Sequence, residues 1–263
     1  MFGSHKSHFM YRKTNIRRLC PLIVAIIAVY YHFIMIFQNK YLHPIPLMNT
    51  FEGMKILELF AGSRSIGKVA EQMGHDVFSI DIMPFKGIDL AVDIESLNPL
   101  ELEARFIPDV IWASPPCTTY SIAAISHHRN NQEPKSDFAA KSDKLVVSTL
   151  NIIKHFNCKY FIENPVGMLR KMPFMLGLPK ATITYCSYGD TRMKPTDIWS
   201  NHIYSLWNPN GWIPRSRCWN GNIKCHHEPA PRGSKTGTQG LKNDYDRSKI
   251  PPELCEEIIK SLS

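Results

Sequence analysis

The chain has 263 residues and a mass of 30.1 kDa, with 44% hydrophobic, 21% charged and 11% aromatic residues, a globular composition that excludes a wholly disordered, collagenous or repeat protein. Seven cysteines without regular spacing exclude a disulfide framework and suit a reducing compartment. The net charge of +8 is uneven, at +5 over residues 1–53, −3 over 54–169 and +6 over 170–263, which suits a catalytic lobe for a small molecule joined to a lobe that meets a polyanion.

Cys20 to Phe37 is an 18-residue apolar run broken only by His32, just long enough to cross a bilayer. Lys6, Arg12, Lys13, Arg17 and Arg18 precede it and Lys40 follows. As a span it would keep the N-terminus cytoplasmic and carry residues 54–263 outside. As a secretory signal it lacks a small-residue cleavage site before Gln38. Both readings conflict with the cytosolic chemistry developed below. An extension without function, with translation beginning at Met48 or Met54, and a buried apolar helix are the other two readings. The expected location is cytoplasmic, with membrane association only through residues 20–37.

From Met54 the pattern changes. Lys55–Phe60 reads as a strand, Ala61–Gly67 as a glycine-containing turn, and Lys68–Met73 as a helix closed by Gly74. Asp76–Asp81 is a second strand and Asp109–Ser114 a third, running into Pro115-Pro116-Cys117. Ser126–Ser136 reads as a mobile polar loop. Phe138–Phe156 has helical spacing, and Lys159–Glu163 is a strand ending in Asn164-Pro165. Strands alternating with helices predict an α/β fold, a doubly wound, mostly parallel Rossmann-like sheet. Beyond residue 195, Trp199, Trp207, Trp212 and Trp219 with Tyr204 predict a small irregular lobe, and Pro251–Leu262 closes the chain as a helix.

In such sheets ligands bind outside the carboxyl ends of the strands, where Gly62, Asp81, Cys117 and Glu163 all fall. Gly62 lets the backbone approach a ligand at a helix N-terminus, and Asp81 can bind vicinal ribose hydroxyls, so a nucleoside cofactor is implied. The turn lacks both the Lys-Ser/Thr of a phosphate loop and the G-x-G-x-x-G of dinucleotide sites. Cys117, stiffened by two prolines, reads as an exposed nucleophile or as a packing thiol. Glu163 reads as a proton donor or acceptor, or as a cap or ion-pair partner.

Leu59-Phe60-Ala61-Gly62, Pro115-Pro116-Cys117 and Glu163-Asn164, in this order, resemble the motifs of the cytosine-C5 DNA methyltransferases, and most closely the short forms carried by phages and prophages. The resemblance spans residues 54–263. It implies S-adenosylmethionine as cofactor and double-stranded DNA as substrate; a cognate restriction enzyme is a candidate partner, and a monomer is expected because each target base needs only one pocket. It also implies that Cys117 attacks C6 of a flipped cytosine, that Glu163 is protonated against N3, and that Arg192 is the third catalytic residue. A neutral glutamic acid near pH 7 needs a raised pKa, which a desolvated pocket provides. On the cofactor side it implies Phe60, Gly62 and Pro116, with Asp81 at the ribose and Asp93 near the adenine. An RNA cytosine methyltransferase and a catalytically silent DNA-binding or membrane-tethered protein on the same fold stay open. An amino-methyltransferase needs an aromatic residue where Cys117 stands.

Several positions depart from the family pattern. Arg64 stands where glycine is usual, Thr118 follows Cys117, Pro165 follows Glu-Asn, and Lys194 replaces the second Arg of an Arg-x-Arg pair. Lysine cannot reproduce a bidentate fork. Ser248–Pro252 is only loosely similar to the final family motif. The implied organisation is an extension (1–53), a catalytic domain (54–194), a small target-recognition region (195–247) and a returning helix (248–263). Lys194, Arg215, Arg217, Arg232 and Lys235 are the expected DNA contacts. No bound metal is expected. Cys218-x6-Cys225-His226-His227, helped by Cys186, is the candidate zinc cluster, but it matches no standard finger.

Overall fold

In the computed structural model, residues 53–228 and 244–262 are described. The apolar run Cys20–Phe37 and the segment Pro231–Gly240, with Arg232 and Lys235, lie outside the described residues. Among the described residues no helix is long and apolar enough to cross a membrane.

The elements follow the hydrophobic pattern. In chain order they are β1 (Lys55–Leu59), α1 (Ser65–Gln72), β2 (Asp76–Asp81), β3 (Leu90–Ala91), α2 (Pro99–Glu103), β4 (Val110–Ala113), α3 (Ile125–His128), β5 (Arg129–Asn130), β6 (Glu133–Pro134), α4 (Asp137–Phe156), β7 (Lys159–Pro165), β8 (Lys180–Thr184), β9 (Pro195–Ser200), α5 (Asp244–Ser248) and α6 (Pro252–Lys260). All of β4 is buried, and β1 from Ile56 onward, as expected for parallel strands covered on both faces. The long α4 is bounded by local chemistry. Ser136 caps its start by accepting from the Ala139 N–H, and Asn157 ends it with φ 49°.

Seven strands form one sheet in the order β3-β2-β1-β4-β7-β9-β8. The first five are parallel, while β9 runs antiparallel to both β7 and β8. One face packs Ile56, Trp112 and Phe161 against α1 and α6, through Ile66, Val69, Leu254 and Ile258. The other packs Leu57, Leu59, Ile111 and Ile162 against α4, through Val146 and Ile153. Each fully buried large apolar side chain stabilises this arrangement by about 1.5–3 kcal/mol. The order reverses between β1 and β4, which puts the ligand crevice at their carboxyl ends.

Two details differ from the sequence expectation. The sheet continues through β9, past the boundary placed at Lys194, because Thr196–Ser200 is wholly buried between β7 and β8. The polar stretch Ser126–Ser136 is organised into α3 and the β5–β6 hairpin around a buried Arg129, which is 2% exposed. Its guanidinium pairs with Asp143 at 2.6 Å, donates to the Thr119 carbonyl at 3.0 Å and stacks on the Tyr120 ring at 4.4 Å. A charged residue serving as the centre of a loop leaves no periodic signal. It fixes the backbone two residues beyond Cys117.

Candidate active site

The glycine turn leaves β1 through three residues in the left-handed region, Phe60 (φ 57°), Gly62 (φ 46°) and Arg64 (φ 54°). It is held to β2 by Ala61 N–H donating to the Ile80 carbonyl at 3.0 Å and by Gly62 N–H donating to Asp81 Oδ2 at 2.9 Å. At the family's glycine position, Arg64 costs roughly 1–2 kcal/mol of backbone strain. Its side chain offsets this by turning away from the crevice. Nε donates to Ser79 Oγ at 3.0 Å, and the guanidinium pairs with Glu71 at 2.5 Å. Gly67 is required by close approach, since a Cβ there would stand 2.5 Å from Glu58 Oε2.

A cavity of about 620 Å³ opens at these strand ends, lined among others by Glu58, Phe60, Gly62, Ser65, Pro116, Cys117, Glu163, Arg192, Lys194 and Ile250. Its volume is that of a small-molecule site. The structure therefore brings Phe60, Gly62, Pro116, Cys117, Glu163 and Arg192 together around one cavity. The C-terminal segment closes the cavity, with the Ile250 N–H donating to Ser65 Oγ at 3.1 Å.

Cys117 is half-buried, and burial pushes its thiol above the ordinary value. Lys194 opposes that shift and the Glu163 charge adds to it. Glu163 is 6% exposed and accepts a hydrogen bond on Oε1 from the Tyr185 hydroxyl at 2.7 Å. Burial, reinforced by Glu163, raises Tyr185 well above its usual range, so its hydroxyl stays a donor. Lys194 Nζ stands 3.9 Å from Glu163 Oε1 and 4.5 Å from the Tyr185 ring centre. Asn164 ties the two catalytic strand ends together by donating to the Pro115 carbonyl at 2.8 Å. Its Oδ1 is the one buried side-chain polar atom without a partner among the described residues.

Other expected residues have partners of their own. Asp81 accepts from the Gly62 and Met83 N–H groups and so supports the glycine turn. Asp93 does not line the cavity; it caps the turn Ile94–Ser96 and pairs with Lys141 at 2.8 Å. Arg192 lines the cavity, but its five N–H donors face Asp190 Oδ1 and Oδ2 and the carbonyls of Asp246, Arg247 and Lys249. These bonds make it a clamp on the C-terminal segment. Lys194 lines the cavity with its side chain 12% exposed. Arg215 is paired with Glu253 and Glu257 of α6, both at 2.7 Å, and stacks on Tyr188. These bonds hold it against α6, and both Arg215 and Arg217 are exposed. Of the candidate zinc ligands, Cys218, Cys225 and His227 converge with Cys186. His226 is exposed, with Nε2 3.1 Å from the Asp190 carbonyl.

The sequence reading missed Glu58 and Tyr185, since a lone acid in an apolar strand and a tyrosine between strands carry no motif. Glu58 is 2% exposed and accepts from Ser79 Oγ at 2.9 Å and from the Gly67 N–H at 3.2 Å. Burial raises its pKa from 4.5 to about 7 despite those bonds. An acid raised by folding stabilises the fold fully below its unfolded pKa, and that contribution is lost as pH rises through the folded pKa. Stability should therefore fall by about 3 kcal/mol from this group between pH 4.5 and about 7. Melting curves of Glu58→Gln across that window are expected to show a flatter pH dependence than the parent. An equally steep fall would show that Glu58 is not the group responsible.

The comparisons with known proteins agree with this geometry. The family model described as C-5 cytosine-specific DNA methylase matches residues 54–174. A probable DNA (cytosine-5)-methyltransferase of Frog virus 3 (isolate Goorha) is 30% identical over 231 residues, covering 78% of this chain and 99% of that protein. That match takes in the glycine turn, the Pro-Pro-Cys loop and nearly the whole length of the relative, and the chain belongs to the C-5 cytosine-specific DNA methylases, a family of DNA (cytosine-5)-methyltransferases.

Proposed function

We propose that the chain transfers a methyl group from S-adenosylmethionine to C5 of cytosine in double-stranded DNA, through a covalent bond between Cys117 and C6 of a flipped base. The observation that carries this reading is that Cys117 and Glu163 line the same cavity as the glycine turn. The residues fit the cofactor. Gly62 opens on the cavity, with nothing closer than 3.9 Å to a Cβ built there, and α1 begins beside it. Phe60 and Gly62 would hold the amino-acid end and Pro116 would close over it, while Asp81 supports the turn from the ribose side. When bound, S-adenosylmethionine supplies an electrophilic methyl group.

Cytosine C5 is a weak nucleophile, and the chain's residues correct that. The Cys117 thiolate adds to C6, and the electron pair of the 5,6 double bond moves towards C5. Glu163, oriented by Tyr185, donates to N3 and limits charge build-up on the ring. After C5 has been methylated, a base removes the C5 proton, the double bond reforms and the sulfur leaves as thiolate. The base reaches Cys117 only outside the duplex stack. Arg217 and the exposed Trp207 and Trp219 belong to the expected recognition region, and supply charge and stacking surface.

The test incubates the full chain with methyl-labelled S-adenosylmethionine and either duplex DNA or RNA, followed by nucleoside analysis. Label in 5-methylcytosine from DNA is expected. Label confined to RNA would reassign the substrate, and none in either would leave a silent binder.

A further inference from the structure

Four metal-ligating side chains converge at a place that takes no part in the cavity. Cys186 lies in the short turn Tyr185–Tyr188 after β8, while Cys218, Cys225 and His227 come from the irregular segment that follows β9. One ligand atom from each lies within 4.8 Å of every other, and Cys218 Sγ stands 3.6 Å from His227 Nδ1. We propose that these four residues bind one zinc ion as a structural Cys3His site.

The geometry suits that ion. Tetrahedral zinc, with Zn–S ~2.3 Å and Zn–N ~2.0 Å, separates sulfur from nitrogen by about 3.6 Å and sulfur from sulfur by about 3.8 Å. Three thiolates with one imidazole, and no side for a water, are a closed donor set of soft and borderline ligands, which favours zinc over hard cations. A disulfide would leave one of the three thiols unpaired, and all the described cysteines are free. The surroundings are arranged around sulfur. Asn222 Nδ2 donates to Cys218 Sγ at 3.3 Å, and the Cys218 N–H donates to Thr184 Oγ1 at 2.8 Å. The backbone from Trp219 to Cys225 folds back in two turns, with Asn222 N–H on the Trp219 carbonyl and Cys225 N–H on the Asn222 carbonyl. This bend brings the ligands at 218 and 225 to one point. Hydrogen bonds of this kind to and beside a ligating atom orient the ligands and tune the site.

The segment also needs such a staple. Leu206 (88% exposed), Trp207 (95%) and Ile223 (97%) point away from the core. Trp212 is its one fully buried large apolar side chain among the described residues. A small segment that cannot bury a core of its own gains order from a metal. The zinc would fasten the segment beyond β9 to the turn that carries Tyr185, and Tyr185 in turn holds Glu163. The same segment lies in the expected recognition region, so the ion would set the position of the DNA-reading part without entering the chemistry.

The experiment is metal analysis of the full chain purified from zinc-supplied medium without chelator. One zinc per chain is expected, retained in His226→Ala and lost in Cys225→Ala and in His227→Ala. Cobalt(II) loaded into the unsubstituted chain is expected to show thiolate charge-transfer bands and the intense visible bands of a tetrahedral site. That spectrum decides the matter even if the substituted chains fail to fold. A metal-free chain, a chain with two of these thiols oxidised to a disulfide, an octahedral cobalt spectrum, or zinc retained without Cys225 would each overturn the assignment.

Discussion

Cys117→Ala is expected to lower methyl transfer by more than about 10,000-fold, the scale on which covalent catalysis collapses when its nucleophile is removed. Alanine removes only the sulfur from a half-buried loop position whose backbone is held by other groups. The Asn164 amide fixes Pro115, and Arg129 fixes the Thr119 carbonyl. DNA affinity and folding should therefore change little. The measurement is single-turnover methylation together with denaturation-resistant crosslinking to 5-fluorocytosine DNA. The parent chain should crosslink and the variant should not. Methylation surviving in the variant would contradict a covalent route altogether.

Glu163→Gln should slow turnover by about 100- to 10,000-fold, the usual contribution of a positioned general acid, with cofactor affinity almost unchanged. A change in pH profile distinguishes this role from a merely structural one. The amide in Glu163→Gln carries a fixed N–H donor. Its rate then follows thiolate alone. Because burial raises the thiol above its ordinary value of 9.0, that rate should climb by about tenfold per pH unit from neutrality upward. A profile unchanged by the substitution would show that Glu163 does not carry the proton. Tyr185→Phe removes the 2.7 Å hydrogen bond that orients the carboxyl. It should lower kcat with KM nearly constant, as expected of a positioning residue.

The residues proposed to enter the chemistry were legible because their motifs are local. Leu59-Phe60-Ala61-Gly62 and Pro115-Pro116-Cys117 each sit where a strand ends, and a strand end is visible as the end of an apolar run. The residues that support them were not legible. Arg64 looked like a defect in the glycine turn until its guanidinium was seen beneath the turn on Ser79 and Glu71. Arg192 carries no sign in its motif of the bonds its donors make to Asp190 and to carbonyls up to 57 residues further along the chain. Arg215 carries no local sign of its pairing with Glu253 and Glu257 of α6.

The sequence by itself determined the fold class, the four strands β1, β2, β4 and β7, and the placing of Cys117 and Glu163 at strand ends, where both line the cavity. Each of these depends on hydrophobic period or on a few adjacent residues. Only the tertiary structure decided which charges are spent on packing, that Tyr185 reaches Glu163, and that Cys186 joins Cys218, Cys225 and His227 while His226 turns away. Those are matters of which side chains meet across 22 to 57 residues of chain. Such meetings are set by the order in which the strands lie beside one another, which local pattern does not encode.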